Sequence, residues 1–346
     1  MERFLAAVST ESKARAADHE LHDFDTVYFG GGTPSLLYPG QLKSLIDLLG
    51  SHYRISDKAE ISIESNPSSL DFDKLLDYSK IGINRLSLGI QSFQDDNLRT
   101  LGRIHDSKKA TESFYAARRA GFDNINIDLI YGIPGQSIAD WERDLTRAID
   151  LKPDHISAYN LIIEPNTRFG DLFRAGKLIL PSEDEQREMY YSLIDLLSDS
   201  GYDHYELSNF AQNERYCRHN LNYWRNRSYL GLGPSAVSFD GETRFRNVAD
   251  VEKYNDLIIS ADSAVETSEI IDGKLAVEET VMMGLRLSAG LSVRDLLKKR
   301  GYDILREKES EINVLLEKKY LIYENGSLKI AREGLFISDE IIVKLI

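Results

Sequence analysis

Residues 26–35 read Thr-Val-Tyr-Phe-Gly-Gly-Gly-Thr-Pro-Ser. A run of β-branched and aromatic residues stops at three glycines, and Pro34 leads into a Leu-rich segment with helical spacing from Pro39 to Leu49. The pattern therefore predicts a strand, a turn and a helix. Three glycines let the backbone approach a ligand and point N–H groups at an acceptor. A tight turn that holds no ligand is the alternative.

The same alternation continues along the first half of the chain. Short β-type runs lie at residues 27–29, 61–64, 85–89, 125–130 and 156–161, and helical patterns separate them at residues 39–50, 70–80, 107–120 and 138–151. Repeated strand–helix units predict an α/β fold with a parallel sheet, either open or curled into a barrel. In both cases the ligand lies at the carboxyl ends of the strands.

Polar residues occur at those strand ends. Glu64 ends the second strand, Gln91 and Arg103 follow the third, and Asp128 lies in the fourth. Taken singly, each could be a loop cap or a buried carboxylate satisfied by backbone N–H groups. Several strand ends that each offer a polar group next to Gly or Pro favour one common site. Such a site could hold a zwitterion and a ribose.

The second half of the chain is less regular. A helical segment at residues 182–200 precedes an aromatic, polar stretch, Tyr202–Phe239, which we interpret as a functional loop region packed against the barrel mouth. Further on, Asn325-Gly326 between two apolar runs predicts a hairpin, and helices before it indicate a winged-helix-like domain. We expect three parts: a partial barrel at residues 1–170, a region packed on it at 171–260, and the winged-helix-like part at 261–346.

Composition excludes several classes of protein. The chain has 346 residues, 42% of them hydrophobic and 28% charged, and no apolar run or leader suggests a membrane span or a secretory signal. We therefore expect a cytoplasmic protein. A net charge of -14 argues against nucleic-acid binding, and residues 262–346 carry 13 basic and 16 acidic side chains. The single cysteine, Cys217, excludes a disulfide framework.

Five motifs occur in a recognisable order. They are Gly-Gly-Gly-Thr-Pro at 30–34, Glu-Ser-Asn-Pro at 64–67, Gly-Ile-Gln-Ser-Phe at 89–93, Asn-Ile-Asp-Leu-Ile-Tyr-Gly-Ile-Pro-Gly at 126–135, and His-Asn-Leu-Asn-Tyr-Trp at 219–224. Together they resemble the radical S-adenosylmethionine proteins of the oxygen-independent coproporphyrinogen III oxidase group, and within it the haem-chaperone branch. The resemblance covers nearly the whole chain and implies a partial β/α barrel.

The resemblance also implies binding roles for the strand-end residues. Gly31, Gly32 and Thr33 would contact the methionine end of S-adenosylmethionine. Its site would be completed by Glu64, Gln91, Arg103 and Asp128, and the backbone at Ile162 would lie near the adenine.

The chain differs from that group in the residues that would bind an iron–sulfur cluster. Its members hold a [4Fe–4S] cluster on a Cys-x-x-x-Cys-x-x-Cys loop after the first barrel strand, and Cys217 alone cannot supply those ligands. We expect the cluster only if a segment upstream of Met1 supplies the cysteines, and we favour truncation. The residues for S-adenosylmethionine are intact, and loss of a barrel strand would leave a sheet edge exposed. A form that has lost its cluster is the alternative.

The segment 217–224 contains a second group of candidate binding residues. His219 is a candidate axial ligand of haem iron, Cys217 is a weaker alternative, and Tyr223 with Trp224 offers flat apolar surface to a porphyrin. The alternative is a hydrogen-bonded loop histidine. The resemblance favours haem, because the motif is associated with haem binding in the chaperone branch. Among the other histidines only His19 and His22 have metal-ligand spacing, and we assign them no role.

The leading hypothesis is a haem chaperone that binds haem and passes it to a recipient haemoprotein. One alternative is oxygen-independent coproporphyrinogen III dehydrogenase, an enzyme of porphyrin biosynthesis. Four arginines could bind the carboxylates of its substrate or the haem propionates: Arg215, Arg218, Arg225 and Arg227. A cluster-free S-adenosylmethionine or nucleotide binder is the third hypothesis. The identity of the recipient and homodimer formation stay open.

Overall fold

The computed structural model describes residues 2–16 and 23–346, and the candidate pair His19 and His22 lies outside them. The chain divides into two compact units. Unit 1 comprises Met1–Val27, Gly40–Ala59 and Cys217–Ile346, and unit 2 comprises Tyr28–Pro39 and Glu60–Tyr216. The three-part division expected from the sequence stays a prediction.

A seven-stranded sheet organises the first two thirds of the chain. Its strands are β1 (Asp23–Phe29), β2 (Arg54–Ser65), β3 (Arg85–Gln91), β4 (Ile125–Tyr131), β5 (His155–Asn160), β6 (Asp203–Glu206) and β7 (Asn209–Ala211). They follow the order β1-β2-β3-β4-β5-β7-β6. Strands β2 to β5 run parallel to one another, as the strand–helix alternation predicts.

Helices connect these strands, at α2 (Pro39–His52), α3 (Phe72–Lys80), α4 (Asp95–Thr100), α5 (Ser107–Arg119), α6 (Ile138–Leu151), α7 (Arg168–Arg174) and α8 (Glu183–Asp199). Side-chain caps explain where several begin. Asp71 caps α3, Asp106 caps α5, and Ser137 forms a capping box with Asp140 at the start of α6. Most apolar side chains of β3, β4 and β5 are buried, and Leu86, Ile127 and Ile156 are fully buried. Each such residue contributes roughly 1.5–3 kcal/mol of hydrophobic stabilisation.

The interpretation of Tyr202–Phe239 as irregular is wrong. This stretch contains β6 and β7, the helix α9 (Arg218–Trp224) and the strand β8 (Val237–Phe239). β7 pairs antiparallel with β5 and with β6, so the sheet is mixed rather than wholly parallel. The two strands are only four and three residues long, too short for a period-two pattern to be visible in the sequence.

Unit 1 contains the first helix and the rest of the chain. Helix α1 (Glu2–Ala16) packs against α10 (Val251–Ala261), and β8 forms an antiparallel sheet with β9 (Thr243–Asn247) and β10 (Val265–Ile270). The C-terminal part contains α11 (Gly273–Leu285), β11 (Leu291–Ser292), α12 (Val293–Arg300), α13 (Ile304–Glu307), α14 (Glu309–Glu317), β12 (Leu321–Glu324), β13 (Ser327–Ile330) and α15 (Ser338–Leu345). Its sheet has the order β11-β13-β12, and this helix–strand–helix–hairpin sequence is that of a winged helix.

The predicted hairpin of the C-terminal part is confirmed. Asn325 (φ 51°) and Gly326 (φ 78°) both adopt the left-handed conformation that a two-residue turn between twisted strands requires. Behind the hairpin lies one apolar cluster that includes Val281, Leu296 and Ile341. No helix within residues 2–16 and 23–346 is both long and apolar enough to cross a bilayer.

Candidate ligand sites

Two of the three glycines after β1, Gly30 and Gly31, are required for different reasons. A Cβ at Gly30 would lie 2.6 Å from the ring of Tyr28 and 3.2 Å from a carboxylate oxygen of Glu64. Gly31 has φ 97°, a conformation that other residues rarely adopt. A Cβ at Gly31 or Gly32 would meet no atom of the described residues within 4 Å, and Gly31, Gly32 and Thr33 are all exposed. The turn therefore offers its backbone to open space.

Glu64 is held at this turn by two donors. The Tyr28 hydroxyl donates to Glu64 Oε1 at 2.7 Å, and the backbone N–H of Gly31 donates to the same carboxylate. Burial raises the pKa of Glu64, and the nearby charge of Asp128 raises it further, whereas the bonds from Tyr28 and Gly31 lower it. The Glu64 carboxylate is therefore oriented as a hydrogen-bond acceptor beside the exposed backbone of the glycine turn.

Gln91 ends β3 in an unusual conformation. Its φ of 71° is left-handed, and the register between β3 and β4 shifts between Leu88 and Gln91. A non-glycine residue at positive φ costs of order 1–3 kcal/mol and occurs most often at functional sites. A Cβ at Gly89 would lie 3.1 Å from the Gln91 amide nitrogen, so Gly89 provides the space for this side chain.

Asp128 is held by donors from its own strand and from β3. Ser87 Oγ donates to Asp128 Oδ2 at 2.9 Å, and Asn126 Nδ2 donates to Oδ1 at 2.7 Å. Burial raises the pKa of Asp128, and the bonds from Ser87, Asn126 and Ser157 together with the charge of Arg85 oppose that shift. The cross-strand register brings these groups together, since Ser87 lies opposite Asn126 and Asp128 opposite Ser157.

The bonds to Asp128 determine the rest of this buried network. Because Asn126 Nδ2 donates to a carboxylate, Asn126 Oδ1 points the other way and accepts from Ser157 Oγ at 3.1 Å. The same oxygen lies 2.7 Å from His155 Nδ1, which must therefore carry the proton. His155 Nε2 is then the acceptor, and the Tyr205 hydroxyl donates to it at 2.7 Å.

Arg103 and Ile162 complete the predicted set. Arg103 is partly buried, and burial lowers the pKa of its guanidinium, whereas the charge of Asp128 raises it. Arg103 and Glu64 therefore both interact electrostatically with Asp128. Ile162 lies just beyond β5, and its side chain is 76% exposed.

These residues match the chemistry of S-adenosylmethionine. Glu64 and Asp128 are carboxylate acceptors suited to an ammonium group and to ribose hydroxyls, and Arg103 carries the positive charge that a carboxylate requires. The open backbone at Gly32 adds an N–H donor.

The chain does not match a [4Fe–4S] cluster. Its single cysteine, Cys217, is buried at the start of α9. Among the described residues no group of three or more His, Cys, Asp or Glu side chains could hold a metal.

The candidate haem-binding residues lie on helix α9. His219 is near the start of this helix, and both ring nitrogens have partners: Nδ1 lies 3.0 Å from Thr26 Oγ1 and Nε2 lies 2.8 Å from the Tyr223 hydroxyl. Burial raises the pKa of Tyr223 to about 12, so its hydroxyl is protonated at neutral pH. The indole nitrogen of Trp224 is buried and has no hydrogen-bond partner among residues 2–16 and 23–346, and Arg286 lies 5.8 Å from the Trp224 ring.

The four arginines proposed for carboxylate binding differ in their contacts. Arg215 lies in unit 2, 3.6 Å from Asp123. Arg218 donates to the Lys58 carbonyl and to Asp25, and Arg227 lies 3.4 Å from Asn222 Oδ1. Arg225 and Arg227 are exposed in unit 1, on the segment that carries His219.

Two family profiles match the chain. The radical SAM superfamily matches residues 3–148, and the HemN C-terminal domain matches residues 271–337. The haem chaperone HemW of Bacillus subtilis is 34% identical over 342 residues, which cover 99% of this chain and 90% of that protein. The chain belongs to the HemW family. Haem chaperone HemW of Lactococcus lactis is 32% identical over 94% of this chain and 86% of its own length.

A solved structure supports the fold of this HemW family member. Coproporphyrinogen III oxidase (HemN) of Escherichia coli, described as a radical SAM enzyme, superimposes with a TM-score of 0.84 over 99% of this chain and 82% of that chain, at 23% identity. The predicted resemblance and the predicted partial barrel with a C-terminal helical appendage are thereby confirmed. The superfamily implies S-adenosylmethionine and a [4Fe–4S] cluster as cofactors.

Several residues of these sites were missed in the sequence. Tyr28 holds Glu64, and Asn126 holds Asp128. His155 and Tyr205 extend the network behind Asn126, and Thr26 contacts His219. A usable signal exists for the buried network: residues 85–91 and 125–129 alternate polar and apolar side chains, which indicates a polar sheet face. No local pattern points to Thr26, which lies 193 residues before His219.

Proposed function

We propose that this protein is a haem chaperone, which binds haem and passes it to a recipient haemoprotein from a radical SAM scaffold. The observation that carries the proposal is the short helix α9, which carries His219, Tyr223 and Trp224 in a member of the HemW family. Imidazole is a common axial ligand of haem iron, and aromatic rings supply apolar area for a porphyrin.

The members of the motif have separate roles in this proposal. His219 is the axial ligand, while Tyr223 and Trp224 contact the porphyrin. Arg225 and Arg227 are exposed nearby in sequence and can pair with the haem propionates. Cys217 is the weaker ligand candidate, because it is 1% exposed and caps the start of the helix.

The strand-end residues form a second binding site in the proposal, for S-adenosylmethionine. Gly31, Gly32 and Thr33 would hold its methionine end, and four polar side chains would bind the remainder: Glu64, Gln91, Arg103 and Asp128. The backbone at Ile162 would lie beside the adenine. The contacts that preorient Glu64 and Asp128 support this assignment. A cytoplasmic location and homodimer formation stay predictions.

Haem titration of the purified chain, followed by Soret absorbance, tests the haem site. We expect saturable binding of one equivalent, lost or weakened at least tenfold in His219→Ala. Cys217→Ala tests whether Cys217 is the iron ligand in place of His219. His52→Ala controls for the loss of an unrelated, partly exposed histidine. Equal binding by wild type and His219→Ala, or no saturable binding at all, would refute the proposal.

A second measurement separates a chaperone from a passive haem binder. The haem-loaded protein is mixed with a haem-free b-type cytochrome, and the transfer rate is followed while the acceptor concentration is raised. Direct handover predicts a rate that rises with acceptor concentration. A rate that stays at the spontaneous dissociation rate, whatever the acceptor concentration, would contradict a chaperone function.

A further inference from the structure

His219 already has a hydrogen-bond partner at each ring nitrogen. Thr26 of β1 lies 3.0 Å from Nδ1, and Tyr223, one helical turn further along α9, lies 2.8 Å from Nε2. The Tyr223 ring stands at 88° to the imidazole with the ring centroids 5.1 Å apart. Iron coordination needs a free lone pair on one of these nitrogens, so one of the two bonds must break before haem binds.

The two hydroxyls are not equivalent donors. A phenol is far more acidic than the alcohol of threonine and therefore makes the stronger bond to an imidazole lone pair. Tyr223 then donates to Nε2, and the proton on Nδ1 is donated to Thr26 Oγ1.

We propose that Tyr223 caps the iron-binding nitrogen Nε2 of His219 in the haem-free protein, and that Thr26 is a positioning residue which holds the opposite nitrogen protonated. This inference rests on the proposed function, because it concerns the same histidine. Thr26 corresponds to the partner that a metal-ligating histidine commonly has on its second nitrogen. Tyr223 competes with iron for the first.

The two residues therefore affect haem affinity in opposite directions. Removing the Tyr223 hydroxyl abolishes the competing bond, and a net hydrogen bond of ordinary strength corresponds to an affinity gain of about 2- to 13-fold. Removing the Thr26 hydroxyl leaves Nδ1–H without its acceptor, and loss of such a partner typically weakens metal binding by about 10- to 100-fold. Both changes leave the imidazole in place.

Soret titrations of four variants test the proposal. Tyr223→Phe keeps the ring and should bind haem about 2- to 13-fold more tightly than wild type. Tyr229→Phe is its control, because Tyr229 packs against Tyr223 at 4.8 Å but its hydroxyl is directed to Arg244. Thr26→Val should bind about tenfold more weakly, and Thr26→Ser, which retains a hydroxyl, should recover most of that loss.

Nitrogen-15 NMR of the haem-free protein gives a readout independent of haem. The His219 signals, assigned by their loss in His219→Ala, should show a protonated Nδ1 and an unprotonated Nε2. Thr26→Val should shift the population towards the other tautomer. A protonated Nε2 in the wild-type protein would overturn the proposal.

The outcomes distinguish this inference from the proposed function. If the wild-type protein binds no haem, the proposed function itself is refuted. If wild type binds and His219→Ala does not, while Tyr223→Phe binds equally or more weakly, then Tyr223 is not a cap and the inference is overturned alone. Unchanged affinity in Thr26→Val would remove Thr26 from any positioning role.

Discussion

Replacement of His155 by glutamine should make unit 2 more resistant to mild acid. His155 is fully buried, with Nδ1 on Asn126 and Nε2 on Tyr205. Burial, together with the charge of Arg85, lowers the pKa of His155 well below its usual value. The folded protein therefore keeps this imidazole neutral at a pH where the unfolded chain protonates it. Stability falls as the pH drops below about 6.5, the pKa of an unperturbed histidine.

The magnitude follows from the pH interval. pH 4.5 lies about two units below the pKa of a histidine in the unfolded chain. Over that interval only the unfolded chain binds the extra proton, which lowers the free energy of unfolding by ~3 kcal/mol. Glutamine cannot be protonated and can still donate to Asn126 Oδ1. It loses the bond from Tyr205, at a cost of about 1 kcal/mol that does not depend on pH.

Urea unfolding at pH 7.5 and pH 4.5 measures this difference. The chain has two tryptophans, Trp141 in unit 2 and Trp224 in unit 1, so a Trp224→Phe background lets Trp141 alone report on unit 2. In that background the loss of unfolding free energy between the two pH values should be ~3 kcal/mol smaller in His155→Gln. His52→Gln, a histidine outside the network, should leave the loss unchanged.

The reasoning would be refuted if His155→Gln and its parent lost the same stability between pH 7.5 and 4.5. Such a result would mean that His155 becomes protonated on both ring nitrogens in the folded state at pH 4.5, as it does in the unfolded chain. The tautomer derived for the Asn126–His155–Tyr205 chain would then be wrong.

Three further predictions concern two buried carboxylates and the glycine turn after β1. Asp144 accepts hydrogen bonds from Ser92 and from the Phe93 backbone, and burial raises its pKa to about 6. The free energy of unfolding of the wild type should therefore fall by ~3 kcal/mol as the pH rises from about 4 to 6. Asp144→Asn should remove this pH dependence in urea unfolding. Glu11→Ala removes the acceptor of three buried donors, on Gly233, Asn247 and Tyr254. It should destabilise unit 1 by about 1–3 kcal/mol for each donor left without a partner, read from Trp224 fluorescence in a Trp141→Phe background. Gly30→Ala should displace the Tyr28–Glu64 pair and weaken S-adenosylmethionine binding at least tenfold in equilibrium dialysis, whereas Gly40→Ala, at an open position of α2, should not. Equal slopes, an unchanged midpoint or equal binding would contradict the respective prediction.

The elements of the barrel were predictable because their signals are local. Helical periodicity and polar caps place α5 and α6 within a residue or so of their observed ends, and Asn325-Gly326 places the C-terminal hairpin. Strand β2 begins at Arg54, seven residues before the apolar run that predicts it, because its first residues are polar and exposed. Strands β6 and β7 depend on pairing with β5, and no pattern within three or four residues reveals such a partner.

The candidate sites were predictable only in part, for a related reason. Strand ends are visible in a sequence, so Glu64, Gln91 and Asp128 could be named. Their partners depend on the register between strands, which puts Ser87 opposite Asn126 and Asn126 opposite His155. Thr26 is brought to His219 by tertiary structure alone.

In each candidate site, the hydrogen bonds that orient the binding residues lie within one unit. Thr26, His219 and Tyr223 all belong to unit 1, whereas Glu64 and Asp128 with their hydrogen-bond partners belong to unit 2. We therefore expect Asp128→Asn to abolish S-adenosylmethionine binding in dialysis and to leave haem affinity within twofold of wild type. His219→Ala should do the reverse. If Asp128→Asn weakened haem binding as strongly as His219→Ala, the two sites would be energetically coupled, and haem capture could not be explained by the α9 motif alone.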